Sequence, residues 1–138
     1  MEQIRRTAKR ILGVLEFREN VELSIVLVVD QEMARLNRRF MKRRGPTDVL
    51  SFPLNDFREK QEGPELGDVV INIDEVGRRG GANVVEVRHE LSRLLIHGIL
   101  HLIGYDHGTA GERRVMRVKE ERLMARVTTR QPGPRRRR

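Results

Sequence analysis

Apolar and polar positions along the chain follow two rhythms, one helical and one extended. Over residues 3–16, Ile4, Ala8, Ile11, Leu12 and Leu15 recur at helical spacing, and Arg5, Arg6, Lys9 and Arg10 fall mostly on the other side. That pattern predicts an amphipathic helix laid against a sheet. Residues 22–29 are a nearly unbroken run rich in β-branched side chains, which predicts a strand buried on both faces. Asp30 stands where an N-cap is wanted for a second helix from Gln31, with Met33, Leu36, Phe40 and Met41 turned inward. Gly45 and Pro46 break it. A short strand follows at 49–53, closed by Pro53, then a polar, mobile loop at 55–65 and a further strand at 66–73. Asp74 and Glu75 open a brief helix that ends between Gly77 and Gly81. Asn83 is placed to cap a long helix over 84–103, and a last helix spans 110–127.

Composition narrows the class. The chain has 138 residues, enough for one domain with a real core. It contains no cysteine, so disulfides and thiolate metal sites are excluded and any metal must be held by histidine or carboxylate. No apolar run reaches membrane-spanning length, and the first residues lead into an amphipathic helix and not a signal peptide, so a cytoplasmic location is expected. Net charge is +8, and four arginines at 135–138 supply half of it. The body is therefore basic in its own right, which points to a polyanionic partner, nucleic acid first. Residues 129–138 carry too little apolar surface to fold and are expected to be a disordered basic tail after a domain at 1–128. Between Arg35 and Arg44 lie six basic residues and no acid: Arg35, Arg38, Arg39, Lys42, Arg43 and Arg44. Such a run is as readily a solvated helix face as a phosphate-binding one.

The chemistry concentrates in residues 97–107, which hold three of the four histidines. His97 and His101 stand four apart on one helical face. Gly104 supplies the positive-φ residue that ends the helix, and the turn beyond it brings His107 back. One histidine on a helix is ordinarily structural. Three at this spacing form an open metal site, with zinc preferred and one ion per chain expected; ligand type alone leaves nickel, copper and manganese open. The same histidine spacing occurs in metzincin proteases, whose general-base glutamate follows the first histidine. Here that position is Gly98, read as leaving room above the metal for a bulky substrate. His89, on roughly the same face, is read as structural or substrate-facing.

Four further stretches accompany the histidines: Leu36-Asn37, Pro46 to Pro53, Leu66-Gly67-Asp68, and Glu112 with Met116 and Glu120. Together with His97 to His107 they make the sequence resemble the YbeY family of bacterial endoribonucleases, or rRNA maturation factors, over about residues 1–127. The resemblance implies an α/β (α+β) domain, with a mixed four-stranded sheet and about five helices packed on it. It also implies a zinc ion on His97, His101 and His107, hydrolysis of single-stranded RNA, and a role with the small ribosomal subunit in 16S rRNA 3′-end maturation and ribosome quality control. The family usually carries tyrosine then arginine shortly after Leu-Asn, and the arginine is linked to activity. Here Phe40 and Met41 stand there. Lys42 and the arginines around it are the candidates to take the phosphate instead; the alternative is weakened activity, or a non-catalytic zinc-containing factor that docks on rRNA.

The catalytic candidates are thus His97, through the metal, Asp106 and Lys42. Asp106 or Asp68 would orient a histidine through its second nitrogen, or Asp106 would simply face solvent at the turn. RNA contacts are expected from Arg35, Arg38, Arg39, Lys42, Arg43, Arg44, Thr47 and Ser51. With few aromatics, sequence preference should be weak, and Tyr105 is the first candidate to stack on a base.

Overall fold

The computed structural model describes residues 2–17, 20–54 and 64–128. Within them the order is α1 (Glu2–Val14), β1 (Glu22–Val28), α2 (Asp30–Leu36), β2 (Val49–Pro53), β3 (Glu65–Asn72), α3 (Ile73–Gly80), α4 (Val84–Leu102) and α5 (Ala110–Thr128). The tail from residue 129 lies outside the described residues. So does the expected polar loop as far as residue 63, while Glu65 is already strand.

Among the described residues the sheet has three strands, not the four expected, in the order β1-β3-β2. β3 runs parallel to β1 and antiparallel to β2. Its central place explains its burial. Val69 and Ile71 pack with Leu94, Leu95, Ile99 and Leu100 of α4 on one face, while Val70 joins Val28, Met33 and Leu50 on the other. The double burial predicted for β1 belongs to β3. β1 is an edge strand whose residues alternate in exposure, with Val26 41% exposed. The seven-residue α2 is too short to cover the outer face of β1 beyond its end at Val28.

α2 does not continue as an α-helix. Residues Asn37–Met41 form a π-helical turn in which the Lys42 N–H reaches the Asn37 carbonyl, and Lys42 ends it in the left-handed conformation (φ 54°, ψ 36°). The wider turn rotates later residues out of the α-helical register. Phe40 and Met41, predicted to face inward, are therefore 52% and 41% exposed. Asn37 takes the inward place on the stripe begun by Met33, where it is only 4% exposed. Its Nδ2 donates to the Gly45 carbonyl (2.9 Å), pinning the end of the basic segment to the helix.

Asp30 is not an N-cap either; it makes no capping bond to α2. Both its carboxylate oxygens accept from Arg78 at 2.7 Å, and Oδ1 also accepts from buried Asn72 (2.8 Å). Arg78 and Arg79 pair with Glu75, and Arg79 reaches Asp48 and Glu90, so ion pairs tie α2, α3, α4 and the start of β2 together. Hydrogen bonds from Arg78, then Asn72, lower the Asp30 carboxyl from 3.8 to about 2. A depressed carboxyl stabilises the fold above its unfolded value and loses that contribution as pH falls from 3.8 toward 2. Because solvent screens this exposed pair, Asp30→Asn is expected to melt only slightly lower than wild type near neutrality, with the gap closing in thermal melts taken through that acid window. A gap of constant size would show that the carboxylate charge is immaterial.

Asn83 caps α4, accepting from the N–H groups of Val85 and Glu86. Thr109 and Glu112 form a reciprocal capping box at the start of α5, each bond 3.1 Å. Among the described residues no helix is long and apolar enough to cross a membrane.

Candidate metal centre

α4 carries His97 and His101 on one face, their ring centroids 4.7 Å apart. The helix stops at Leu102, and Gly104 takes a φ of 104°, which side chains rarely adopt. The N–H groups of Gly104 and Tyr105 close on the His101 and Leu100 carbonyls, and the chain folds back. His107 thereby comes within 4.8 Å of His101, centroid to centroid. Asp106 secures this turn: its Oδ1 accepts from the His107 N–H (2.7 Å). It does not orient a ring through this bond.

One nitrogen from each of the three imidazoles lies within 4.8 Å of the others. His107 Nδ1 and His101 Nε2 are 3.1 Å apart, close to the roughly 3.3 Å between two nitrogens on one tetrahedral ion with zinc-like bonds. An all-imidazole donor set at this separation fits a borderline metal ion and leaves a coordination position open. Burial, then the neighbouring His97 and His107, pulls the His101 imidazole below its usual value, against Asp106 and Glu120. This favours the neutral ring, the form a ligand needs.

The partner that orients a histidine is Glu120 on α5. Its Oε1 lies 2.6 Å from His97 Nδ1, fixing that ring and leaving Nε2 for a metal. Asp68, the other candidate, sits on β3 opposite Phe52, away from the cleft lining. The sequence signal for Glu120 is its position. It falls on the stripe of Met116, Leu123 and Val127, all buried, and a carboxylate on a core stripe needs a partner. Glu120→Gln is expected to weaken zinc binding about 10–100-fold with the fold intact, read by competition against a chromophoric chelator. Unchanged affinity would make Glu120 a packing residue only.

The histidines line a cleft of about 730 Å³, whose other walls include Asn37, Met41, Arg43, Arg44, Pro46, Thr47 to Ser51, Pro53, Tyr105 and Asp106. Of the expected RNA contacts, Arg43, Arg44, Thr47 and Ser51 line it. Arg35, Arg38, Arg39 and Lys42 are exposed outside that lining. The Arg39 guanidinium lies over the Phe40 ring, whose other neighbour is Phe52, edge-on at 5.2 Å. The Ser51 hydroxyl is committed to the Gly98 carbonyl (2.9 Å). His89 is exposed on α4 and outside the histidine group. Gly98 opens no space above the histidines. It is buried, and a Cβ there would lie 2.6 Å from Val69 Cγ1, so glycine is what lets α4 approach β3.

Comparison with known proteins gives the family. Residues 1–128 match the family described as Endoribonuclease YbeY. Curated proteins of that name include one from Thermoanaerobacter sp. (strain X514), 36% identical over 137 residues and covering 91% of this chain and 86% of its own. Another, from Pelotomaculum thermopropionicum, is 38% identical over 125 residues, covering 88% and 82%. A third, from Anaeromyxobacter dehalogenans, is 44% identical over 121 residues, 88% of this chain and 61% of the longer relative. The solution structure of a Thermotoga maritima protein superposes with a TM-score of 0.59 at 26% identity, covering 91% of this chain and 81% of that one.

Proposed function

The chain belongs to the YbeY family of endoribonucleases, and on that premise we propose that it is a zinc-dependent hydrolase cutting single-stranded RNA at the His97, His101 and His107 centre. The observation that carries this is the three converging imidazoles beside Arg43 and Arg44 in one cleft. When bound, the zinc ion supplies Lewis acidity and a water of lowered pKa. The chain's own residues do the rest. His97, held by Glu120, and His101, whose neutral form burial favours, present nitrogens to the metal. Asp106 holds the turn that returns His107. Arg43 and Arg44 hold the RNA backbone and stabilise charge that grows on the phosphate in the transition state. Asn37, through Gly45, keeps their segment against the cleft.

Lys42, Arg35, Arg38 and Arg39 lie further out and serve as electrostatic guidance for the strand, together with the basic tail 129–138 beyond the domain at 1–128. We assign the protein to the cytoplasm and to the small ribosomal subunit, where it would trim the 3′ end of 16S rRNA and take part in ribosome quality control. The experiment is direct. The purified protein is incubated with an end-labelled single-stranded RNA and its duplex, with chelator and after zinc is restored. Cleavage of the single strand alone, stopped by chelator and recovered with zinc, is expected. Zinc-loaded protein that binds the RNA and leaves it intact would instead favour a non-catalytic rRNA-docking factor, a reading supported by Met41 in the cleft wall where the family carries its arginine.

A further inference from the structure

The wall of the cleft formed by β2 is a strand edge, and its open hydrogen-bonding groups can be counted. The Asp48 carbonyl accepts from the Asn72 N–H (2.8 Å), and the Leu54 N–H donates to the Leu66 carbonyl (3.1 Å). Both pairs belong to the register that sets Leu50 opposite Val70 and Phe52 opposite Asp68. Because facing pairs alternate in an antiparallel ladder, residues 48, 50, 52 and 54 spend their main-chain groups on β3, while Val49, Ser51 and Pro53 turn theirs outward. Among the described residues no strand lies on that side.

This edge opens onto the histidines. Val49, Ser51 and Pro53 line the cleft, and so does Leu50, whose side chain is packed on the far face with Val28, Met33 and Val70. The wall there is main chain. Its capacity is small. The Val49 N–H is taken by Asp48 Oδ1 (2.7 Å). Pro53 has no N–H. One residue, Ser51, keeps a donor and an acceptor side by side, and its own hydroxyl, held by the Gly98 carbonyl, does not compete for them. An added peptide strand needs a donor at every second residue, and this edge offers a single one. A planar partner with one donor beside one acceptor suits it better. The same cleft is lined by Arg43 and Arg44, neither of which makes an ion pair among the described residues, so the fitting partner is a polyanion that carries such planar edges.

We propose that the main-chain N–H and C=O of Ser51 hydrogen-bond the Watson–Crick edge of an unpaired nucleobase in the RNA strand that lies in the cleft. The proposal rests on the reading of this cleft as an RNA site and says how that site selects. Every base has a donor next to an acceptor on its Watson–Crick edge, so the contact is nearly blind to sequence. In a duplex the edge is already used, so the contact excludes paired RNA. Selection for single strands would then act at the base, three residues from the Asp48 carboxylate that fixes the strand to Arg79, and not through the backbone alone.

The test compares an oligouridine with the same oligomer built from N3-methyluridine, which keeps the phosphates and ring faces and blocks the donor on the edge. Wild-type protein loaded with zinc is expected to bind and cut the oligouridine and to bind the methylated oligomer about tenfold more weakly. Amide hydrogen exchange at Ser51 should slow in the oligouridine complex and not with the methylated strand. Equal affinity for the two oligomers overturns the edge contact and leaves the RNA reading standing. Failure to bind or cut the unmodified oligomer removes the RNA reading itself. Slowed exchange at Ser51 with an extended peptide, and none with oligouridine, would give the edge to a protein strand and overturn the proposal.

Discussion

His101→Ala is expected to lose bound zinc and RNA cleavage together, with the rate falling on the order of a thousand-fold or more, the scale of removing a preorganised electrostatic centre. His101 is the middle imidazole of the three, its ring 4.7 Å from His97 and 4.8 Å from His107. Neither neighbour can replace it, since the His97–His107 separation is 6.0 Å. Metal content by mass spectrometry of the native protein, measured beside cleavage of a single-stranded oligomer, separates loss of metal from loss of fold. A circular dichroism spectrum like wild type is expected, because His101 is half-buried at the cleft and not in the core cluster. The metal-free wild type adds a check on sign. Burial and the adjacent imidazoles lower His101 from 6.5, so the unfolded chain takes up the proton first and the apo fold should lose stability as pH drops below that value. His101→Ala should remove this part of the pH dependence. A variant that keeps its zinc and cuts RNA within tenfold of wild type would place the chemistry elsewhere.

The helices, the strands and the histidine convergence were legible because each rests on local pattern. Residues 83–104 carry a capping asparagine, a broad apolar surface and a glycine stop, and no distant contact is needed to read them. β1 departs from its local pattern for the opposite reason. Its run of Leu, Ile and Val reads as buried on both faces, yet whether a strand is central or at an edge depends on the order of strands, which no local window contains. The turn at Asn37–Met41 was lost in the same way. Helical spacing carried past Leu36 points Phe40 and Met41 inward, but a buried polar residue, Asn37, takes the inward place and bonds across to Gly45. An amide on an apolar stripe is a visible anomaly; what it reaches is not.

The orienting carboxylate shows how far spacing alone can mislead. Asp106 is next to a histidine in sequence and was the natural candidate, but its short side chain is spent on the backbone of its own turn. Glu120, twenty-three residues from His97, reaches the ring because α5 packs along α4. Adjacency in sequence finds caps and turns. Adjacency across packed helices finds the groups that aim a ligand, and the trace it leaves is a charged residue on a buried stripe.

Gly98 gives the second large effect, and it reverses the role first assigned to the glycine. A Cβ at this position would stand 2.6 Å and 3.1 Å from the two Val69 methyls and 3.3 Å from Ser51 Oγ. Val69 is fully buried in the central strand, and its β-branched side chain has little room to retreat. Gly98→Ala must then lift α4 from β3, strain that costs about 1–3 kcal/mol, partly offset by up to about 1 kcal/mol of gained helix propensity. The same displacement stretches the Ser51–Gly98 hydrogen bond and moves His97, so zinc affinity should fall along with the melting temperature. Trimming the obstructing methyls is the control. In a double-mutant cycle, Val69→Ala should cost less in the Gly98→Ala background than in wild type, because the two changes relieve one contact. Additive costs would mean that the helix tolerates the Cβ by some other movement. Gly98→Glu, which would supply the base of a metzincin protease, directs a carboxylate into the same contact with no partner. It is expected to cost more than about 3 kcal/mol and to leave most of the protein unfolded in a urea titration. This packing constraint separates the centre from a peptidase with the same histidine spacing. The glycine holds α4, and with it His97 and His101, against the sheet whose edge forms the facing wall of the cleft.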